Sequence, residues 1–319
     1  MVIGSFLTVK IDGDKNDKFK EMINGTCNKP FVSRCLVPII IKNTSYLIPG
    51  TIKKNINDWG VKNVIYLTMD KNNIDFTDLI TAIIIWYASI MGFAFILMKF
   101  ILLFYSAEER FLYLFSLIAI AGLPIFFKYY SYLYDFPQLF LFTLGLFLLV
   151  KQKWSFYLIL LAISTVNKET SILLIFIYFI FYKNRLLKSV FLKLFAYQIV
   201  IYLLIKIVLT ITFINNPGTF AEFHLIRNLK MEPYSISQFV SFIIIALAIM
   251  YDWGNKPSFL KTSSLILIPL IILTFIFGYF DEYRDYYEIY PILFVLITHT
   301  VCKVINLDIL GTKTIYPIK

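Results

Sequence analysis

Between Leu79 and Tyr105 the chain runs for 27 residues with one charged side chain, Lys99. A stretch of that length and character can cross the roughly 30 Å hydrocarbon layer of a bilayer as a tilted helix. It is the first of a series. Further apolar runs fall at about 111–127, 136–150, 154–166, 170–182, 190–214, 236–251, 262–277 and 286–305, separated by short polar breaks. The pattern predicts an all-α polytopic membrane protein with about nine transmembrane helices. Composition points the same way: hydrophobic residues are 59% and charged residues 16%, against about 45–50% and about 25% in soluble domains. A water-soluble fold has no interior for so much apolar surface, which argues against a soluble enzyme, a disordered chain and a nucleic-acid module. The net charge of +10 then reads as Lys and Arg at the cytoplasmic boundary, attracted to anionic lipid heads, with no nucleic-acid partner.

Three of the runs (136–150, 154–166 and 170–182) are shorter than the ~17 residues a crossing normally needs. They must extend through flanking Tyr, Trp and Lys, or stop short against a water-filled cavity. Residues 1–78 are a different material, a polar region of mixed short helices carrying eleven Lys/Arg and eight Asp/Glu. The expected organisation is an extracytoplasmic N-terminal region (1–78), a transmembrane helical domain (79–305) and a cytoplasmic tail (306–319). With residue 78 outside, the cytoplasmic loops and tail hold eleven Lys/Arg and the outside loops after residue 78 hold five (Lys128, Lys168, Arg227, Lys230 and Arg284), the bias expected of cytoplasmic loops. That count requires 154–182 to be a hairpin with its turn, Asn167-Lys168-Glu169, outside; one interrupted helix reverses the bias. An external N-terminal region also needs something to carry it across: either an apolar helix ahead of Met1, which is the favoured expectation, or the first span itself.

Ionisable residues gather at the breaks assigned to the outside. Lys128-Tyr-Tyr-Ser-Tyr-Leu-Tyr134-Asp135-Phe-Pro137 precedes the third run; Pro137 suits a first helical turn and Asp135 an N-cap, or else Asp135 is an acid at a cavity mouth with tyrosine faces beside it. Lys168-Glu169 forms a charged turn between two short helices, costly unless it meets water or a ligand. In Asp281-Glu-Tyr-Arg284-Asp-Tyr-Tyr-Glu288, helical spacing puts Asp281, Arg284 and Glu288 on one stripe, with Glu288 inside the last apolar run. Arg284 suits two-pronged binding of a phosphate. The three cysteines and two histidines have no metal-ligand spacing. No metal site or certain cofactor is expected, and a divalent cation is left open.

Four pieces together resemble the multi-pass bacterial proteins related to the GT-C glycosyltransferases: Pro30-Phe-Val-Ser-Arg34-Cys-Leu-Val-Pro38, Tyr134-Asp135-Phe-Pro137, Asn167-Lys168-Glu169-Thr170-Ser171 and Arg284-Asp-Tyr-Tyr-Glu288-Ile-Tyr-Pro291. The resemblance implies transfer of a sugar from a polyprenyl-phosphate donor to a glycan, lipid or protein acceptor, at the extracytoplasmic face of a bacterial inner (plasma) membrane. It implies a first-loop acid, matched here by Asp12 or Asp14, and basic residues that hold the lipid phosphate. On this reading Asp14, Asp135 and Glu169 are the candidate catalytic groups, and Arg34, Lys168, Arg284, Glu288 and Tyr134 bind substrate. The alternatives are a transporter or flippase of an anionic lipid or glycan, which would line a path with the same residues, and a non-catalytic degenerate paralogue.

Overall fold

A computed structural model describes residues 18–63, 75–106, 108–126, 132–230, 236–307 and 311–312 of the chain. The described residues are mostly helical. Three short helices come first: α1 (Lys18–Asn24), α2 (Leu36–Leu47) and α3 (Gly50–Asn63). The apolar runs then form α4 (Phe76–Phe104), α5 (Glu109–Gly122, prolonged by a 3-10 turn to Phe126), α6 (Asp135–Val150), α7 (Trp154–Asn167), α8 (Ile172–Tyr182), α9 (Lys188–Thr212), α11 (Ile236–Met250), α12 and α13 (Ser258–Ser263 and Leu267–Phe277, joined by a 3-10 turn) and α14 (Tyr290–Val304). Between α9 and α11 lies the one-turn α10 (Leu225–Leu229). A two-residue antiparallel pairing joins β1 (Tyr105–Ser106) to β2 (Gly311–Thr312).

Each apolar run is helical over most of its described residues. Among the described residues four stretches are long and apolar enough to cross a membrane: Phe76–Phe104, Glu109–Phe126, Lys188–Thr212 and Ser258–Phe277. Asp135–Val150, Trp154–Asn167, Glu169–Tyr182 and Tyr290–Val304 are apolar but shorter. The expected last run, 286–305, loses its first turn: α14 starts at Tyr290, where Pro291 fits the helix start because it has no amide hydrogen to leave unpaired. Glu288 therefore sits ahead of the helix instead of inside it.

α6 is the centre. Twelve of its sixteen residues are buried, as expected of a helix apolar on all sides, and it packs against α4, α7 and α8. Small residues let it approach closely: a β-carbon added to Gly92 of α4 would lie 2.8 Å from the Phe140 ring, and one added to Gly145 would lie 2.7 Å from Leu174 of α8. α7 and α8 flank α6 as a hairpin. The end of α7 meets the start of α6, where Asn167 Nδ2 donates to the Tyr134 carbonyl (3.0 Å), while the end of α8 meets the end of α6, where Tyr182 Oη donates to the Leu149 carbonyl (2.7 Å). α9 packs along α7 and α8 and turns Leu192, Val200, Leu203, Leu204, Ile207, Val208 and Ile211 outward. An exposed apolar face of this extent suits contact with lipid.

At the end of the bundle that carries Lys151, Lys153, Lys183 and Arg185, the buried Lys256 closes α11. Its ammonium donates to the carbonyls of Ala248 (3.1 Å) and Ile249 (2.7 Å) and to Thr300 Oγ1 of α14 (2.8 Å), three acceptors for three protons. Burial pulls its pKa down to about 8. Beside it the hydrogen bond from His299 holds the Asp252 carboxyl below its ordinary range. Lys256→Met is expected to lower thermal stability in detergent, by about 1–3 kcal/mol for the Ile249 carbonyl left without a donor; an unchanged unfolding temperature would contradict the capping role.

The N-terminal region is fastened to the loop after α9. Lys29 N–H donates to the Pro217 carbonyl (2.8 Å) in a parallel bridge opposite Gly218, Lys29 Nζ reaches the Ile214 carbonyl (3.0 Å), and Asn216 Nδ2 donates to the carbonyls of Gly25 and Cys27 (3.0 Å each). Gly218 is required twice over: its φ is +83°, and a β-carbon there would stand 2.9 Å from the Lys29 carbonyl oxygen. Gly218→Val should open this clamp, which limited proteolysis would register as faster cleavage around residue 29 while the helical bundle stays resistant.

Candidate functional site

Arg34 follows a 3-10 turn (Phe31–Ser33) that closes when Ser33 Oγ donates to the Pro30 carbonyl (2.7 Å). Its own backbone leaves helical values before α2 begins, so the side chain projects out of the N-terminal region towards the bundle. There it grips Glu169 with two prongs, Nε to Oε2 (3.2 Å) and Nη2 to Oε1, and its Nη1 donates to Tyr134 Oη. The guanidinium also lies 4.6 Å from the centre of the Tyr134 ring. Tyr134 stacks on Tyr132 (5.4 Å between centres, 19° between planes), and the Arg284 guanidinium lies 4.1 Å from the centre of the Tyr132 ring. Two arginines far apart in the chain thus each face one of a pair of stacked tyrosines.

Below this stack the carboxylates and Lys168 interlock. Asp135 Oδ1 is 4.0 Å from Lys168 Nζ, and Asp135 Oδ2 is 3.7 Å from Arg284 Nη1 and accepts from the Tyr132 amide (2.7 Å). Lys168 Nζ is also 3.5 Å from Glu288 Oε1, which accepts from Thr170 Oγ1. Arg284 closes the chain by donating to Glu282 through Nε (3.1 Å) and Nη2 (2.6 Å). Glu288 and Asp135 are 0% and 1% exposed, and Lys168 is 3% exposed. The Arg34–Glu169 pair above them keeps side-chain exposures of 15% and 33%. A half-open ion pair therefore covers a fully buried one.

The polypeptide builds this by ending helices at one level. α7 stops at Asn167, and the turn Lys168–Ser171 exposes its charged side chains to the start of α6; Gln138, one turn into α6, holds the two together by accepting from Asn167 Nδ2 (3.1 Å). Tyr202 of α9 donates to the Glu169 carbonyl (3.1 Å). Lys206, one turn further along α9 and half-exposed, exerts its charge on Glu169 and makes no hydrogen bond or ion pair among the described residues. Three buried acceptors find no donor among the described residues: Asp135 Oδ1, Asn167 Oδ1 and Glu288 Oε2. An acceptor buried without a donor is costly and marks a place where a hydroxyl or a proton would be bound.

The structure thus brings together Arg34, Tyr134, Asp135, Lys168, Glu169, Arg284 and Glu288. Asp12 and Asp14 lie outside the described residues. Two local expectations are corrected. Asp135 is the first residue of α6, not its N-cap, and its carboxylate accepts from an amide three residues upstream while facing Lys168 and Arg284. Arg284 lies in a 3-10 turn (Tyr283–Tyr286), so Asp281, Arg284 and Glu288 do not share one helical stripe; Glu282, two residues away, accepts from Arg284, which also faces Asp135. Glu282, Tyr132, Gln138 and Thr170 are participants not singled out by sequence reasoning. Gln138 had a readable signal, a polar side chain set in Phe-Pro-Gln-Leu-Phe; the others had none beyond proximity to named residues.

Among the described residues no group of three or more His, Cys, Asp or Glu is arranged to hold a metal ion, and each site carboxylate already faces Lys or Arg. Among the described residues Cys27, Cys35 and Cys302 form no disulfide. In comparisons with known proteins, no family model, no curated protein and no solved structure matches this chain.

Proposed function

We propose that this protein transfers a sugar from a polyprenyl-phosphate donor to an acceptor hydroxyl at the extracytoplasmic face of a bacterial inner membrane, with all nine apolar helices inserted. The observation that supports this reading is the meeting of three cations from three distant segments (Arg34, Lys168 and Arg284) with buried carboxylates that have acceptor atoms to spare. Such a transfer needs cations where charge builds on the departing phosphate and a carboxylate to take the acceptor's proton. Arg284 and Lys168 fill the first role. Asp135 fills the second, because its Oδ1 has no donor while both cations lie within 4.0 Å of its carboxylate. Glu169, held in both prongs of Arg34, orients that cation. Lys206, on the lipid-facing helix, offers the first charge a lipid phosphate would meet on entering sideways. Asp14 remains a proposed first-loop acid from the family resemblance alone.

A second reading, movement of an anionic lipid or glycan, is favoured by one feature. Asp135 is shared between Lys168 and Arg284, and Lys168 between Asp135 and Glu288. Shared partners let ion pairs exchange without leaving a charge bare. Proteoliposomes containing the full chain separate the two readings, with radiolabelled polyprenyl-phosphate sugar scored for transfer and fluorescent lipid scored for movement. Arg284→Ala and Glu169→Ala are each expected to abolish transfer while still inserting; full transfer in both variants rejects the site. Lipid movement without transfer favours the transporter, and neither activity favours the non-catalytic paralogue.

A further inference from the structure

Three rulers measure how deep the charged cluster lies. Trp86 Nε1 donates to the Leu133 carbonyl (3.0 Å) and Tyr202 Oη to the Glu169 carbonyl, so these two side chains mark the level of the cluster on α4 and α9. Beyond that level α4 continues back from Trp86 to Phe76 and α9 onward from Tyr202 to Thr212, ten residues or about 15 Å in each case. In the other direction the helices that stop at the cluster are short: α6, α7 and α14 have 16, 14 and 15 residues, roughly 21–24 Å at 1.5 Å per residue. The hydrocarbon layer is about 30 Å thick. Helices that begin at the Lys/Arg-rich end and finish at the cluster therefore stop roughly 6–9 Å before the layer does, and the overhanging parts of α4 and α9 cover the remainder.

The third ruler is α2. Its start adjoins Arg34 at the cluster, and its last turn is at the far end of the overhang, where Ser45 accepts from Lys53 Nζ (2.7 Å) and Lys53 pairs with Asp75 ahead of α4 (3.0 Å). Twelve residues, about 18 Å of helix, match the 15 Å overhang. The turn that precedes Arg34 starts on the far side of the cluster, because Lys29 is bridged to Gly218 beyond the end of α9. The chain thus enters at Lys29, reaches its deepest point at Arg34 and returns along α2. Its non-helical part is screened by protein, with Val32, Ser33 and Cys35 buried, as membrane-depth irregular backbone must be.

We infer that residues 29–47 form a re-entrant segment within one leaflet of the bilayer, which seats Arg34 and the charged cluster below the membrane surface, with Ile39 and Ile40 against lipid acyl chains. The outward face of α2 is graded to suit. Ile39 and Ile40, near the deep end, are 48% and 41% exposed and apolar, Lys42 and Asn43 follow, and Tyr46 and Leu47 come at the shallow end. The next helix, α3, carries exposed Lys54 and Trp59, an amphipathic composition for the interface itself. Lipid is the occupant these residues fit because the same apolar surface continues on the overhangs, at Ile84 of α4 and at Ile207, Val208 and Ile211 of α9.

The inference concerns depth and holds whether or not sugar transfer is found. It is tested with nitroxide labels on Ile40→Cys and Lys54→Cys in the full chain in proteoliposomes, the buried native thiols being controlled by unsubstituted protein carried through the same labelling. The expected result is that the label at 40 is relaxed by oxygen and shielded from a water-soluble nickel chelate, and that the ratio reverses at 54. Equal nickel access at both positions overturns the proposal. Should the nitroxide at 40 disturb folding, bimane at Ile39→Cys read against brominated lipids gives the same decision: quenching supports the re-entrant segment, and none refutes it.

Discussion

Lys168→Met is expected to cost about 3–5 kcal/mol of stability, because it strips the cation from two carboxylates that are 0% and 1% exposed. Glu288 and Asp135 would be left facing each other across an apolar side chain, and at least one would have to take a proton to stay buried. A thermal unfolding series in detergent reads the loss. The informative companion is Lys168→Met with Glu288→Gln. Removing one charge of each sign leaves Asp135 paired with Arg284, so much of the lost stability should return, while sugar transfer should not. Recovery of both would mean that the pair serves only the fold; recovery of neither would mean that Lys168 matters chiefly through Asp135.

The second large effect belongs to Arg34. Arg34→Ala removes the two-pronged bond to Glu169, the bond to Tyr134 Oη and the guanidinium's contact with the Tyr134 ring. A fully buried pair broken on one side costs about 3–5 kcal/mol; the partial exposure of Glu169 brings the expected cost to about 2–3 kcal/mol. Arg34→Lys separates charge from geometry, since an ammonium cannot make the planar fork or spread over the ring. A lysine variant as active as the parent would show that only the charge is needed. A lysine variant as impaired as alanine would show that the fork itself matters. In a double-mutant cycle with Glu169→Gln, the coupling should be about 0.5–3 kcal/mol; no coupling would mean that the two side chains act independently.

Much of the architecture could be read from hydropathy because membrane insertion imposes a one-dimensional rule: each helix satisfies its own backbone, so each apolar run must be helical. The run expected from Leu79 to Tyr105 is a helix from Phe76 to Phe104, and the hairpin expected at Asn167–Glu169 turns there. What the sequence hid is where helices stop for reasons of their own. Pro291 set the start of α14, and that moved Glu288 from the middle of a span to its threshold. The charged side chains could be picked out because ionisable groups among apolar runs are few. Their pairing could not: Arg34 and Glu169 are 135 residues apart, and no local period connects them. Glu282 was passed over because Asp281 fitted an ideal helical spacing that the 3-10 turn does not provide.

The clamp between Lys29 and Gly218 also has a consequence in time. The segment that carries Arg34 leaves the ribosome long before the hairpin that supplies Glu169, and longer still before the loop that fastens Lys29 to the carbonyl of Ile214, 185 residues downstream. Through most of synthesis the growing chain holds an arginine with no acid to meet and a charged hairpin with no cover. Residues 29–34 are therefore made well before the partners that fasten them, and chains halted before residue 214 should hold this segment loose.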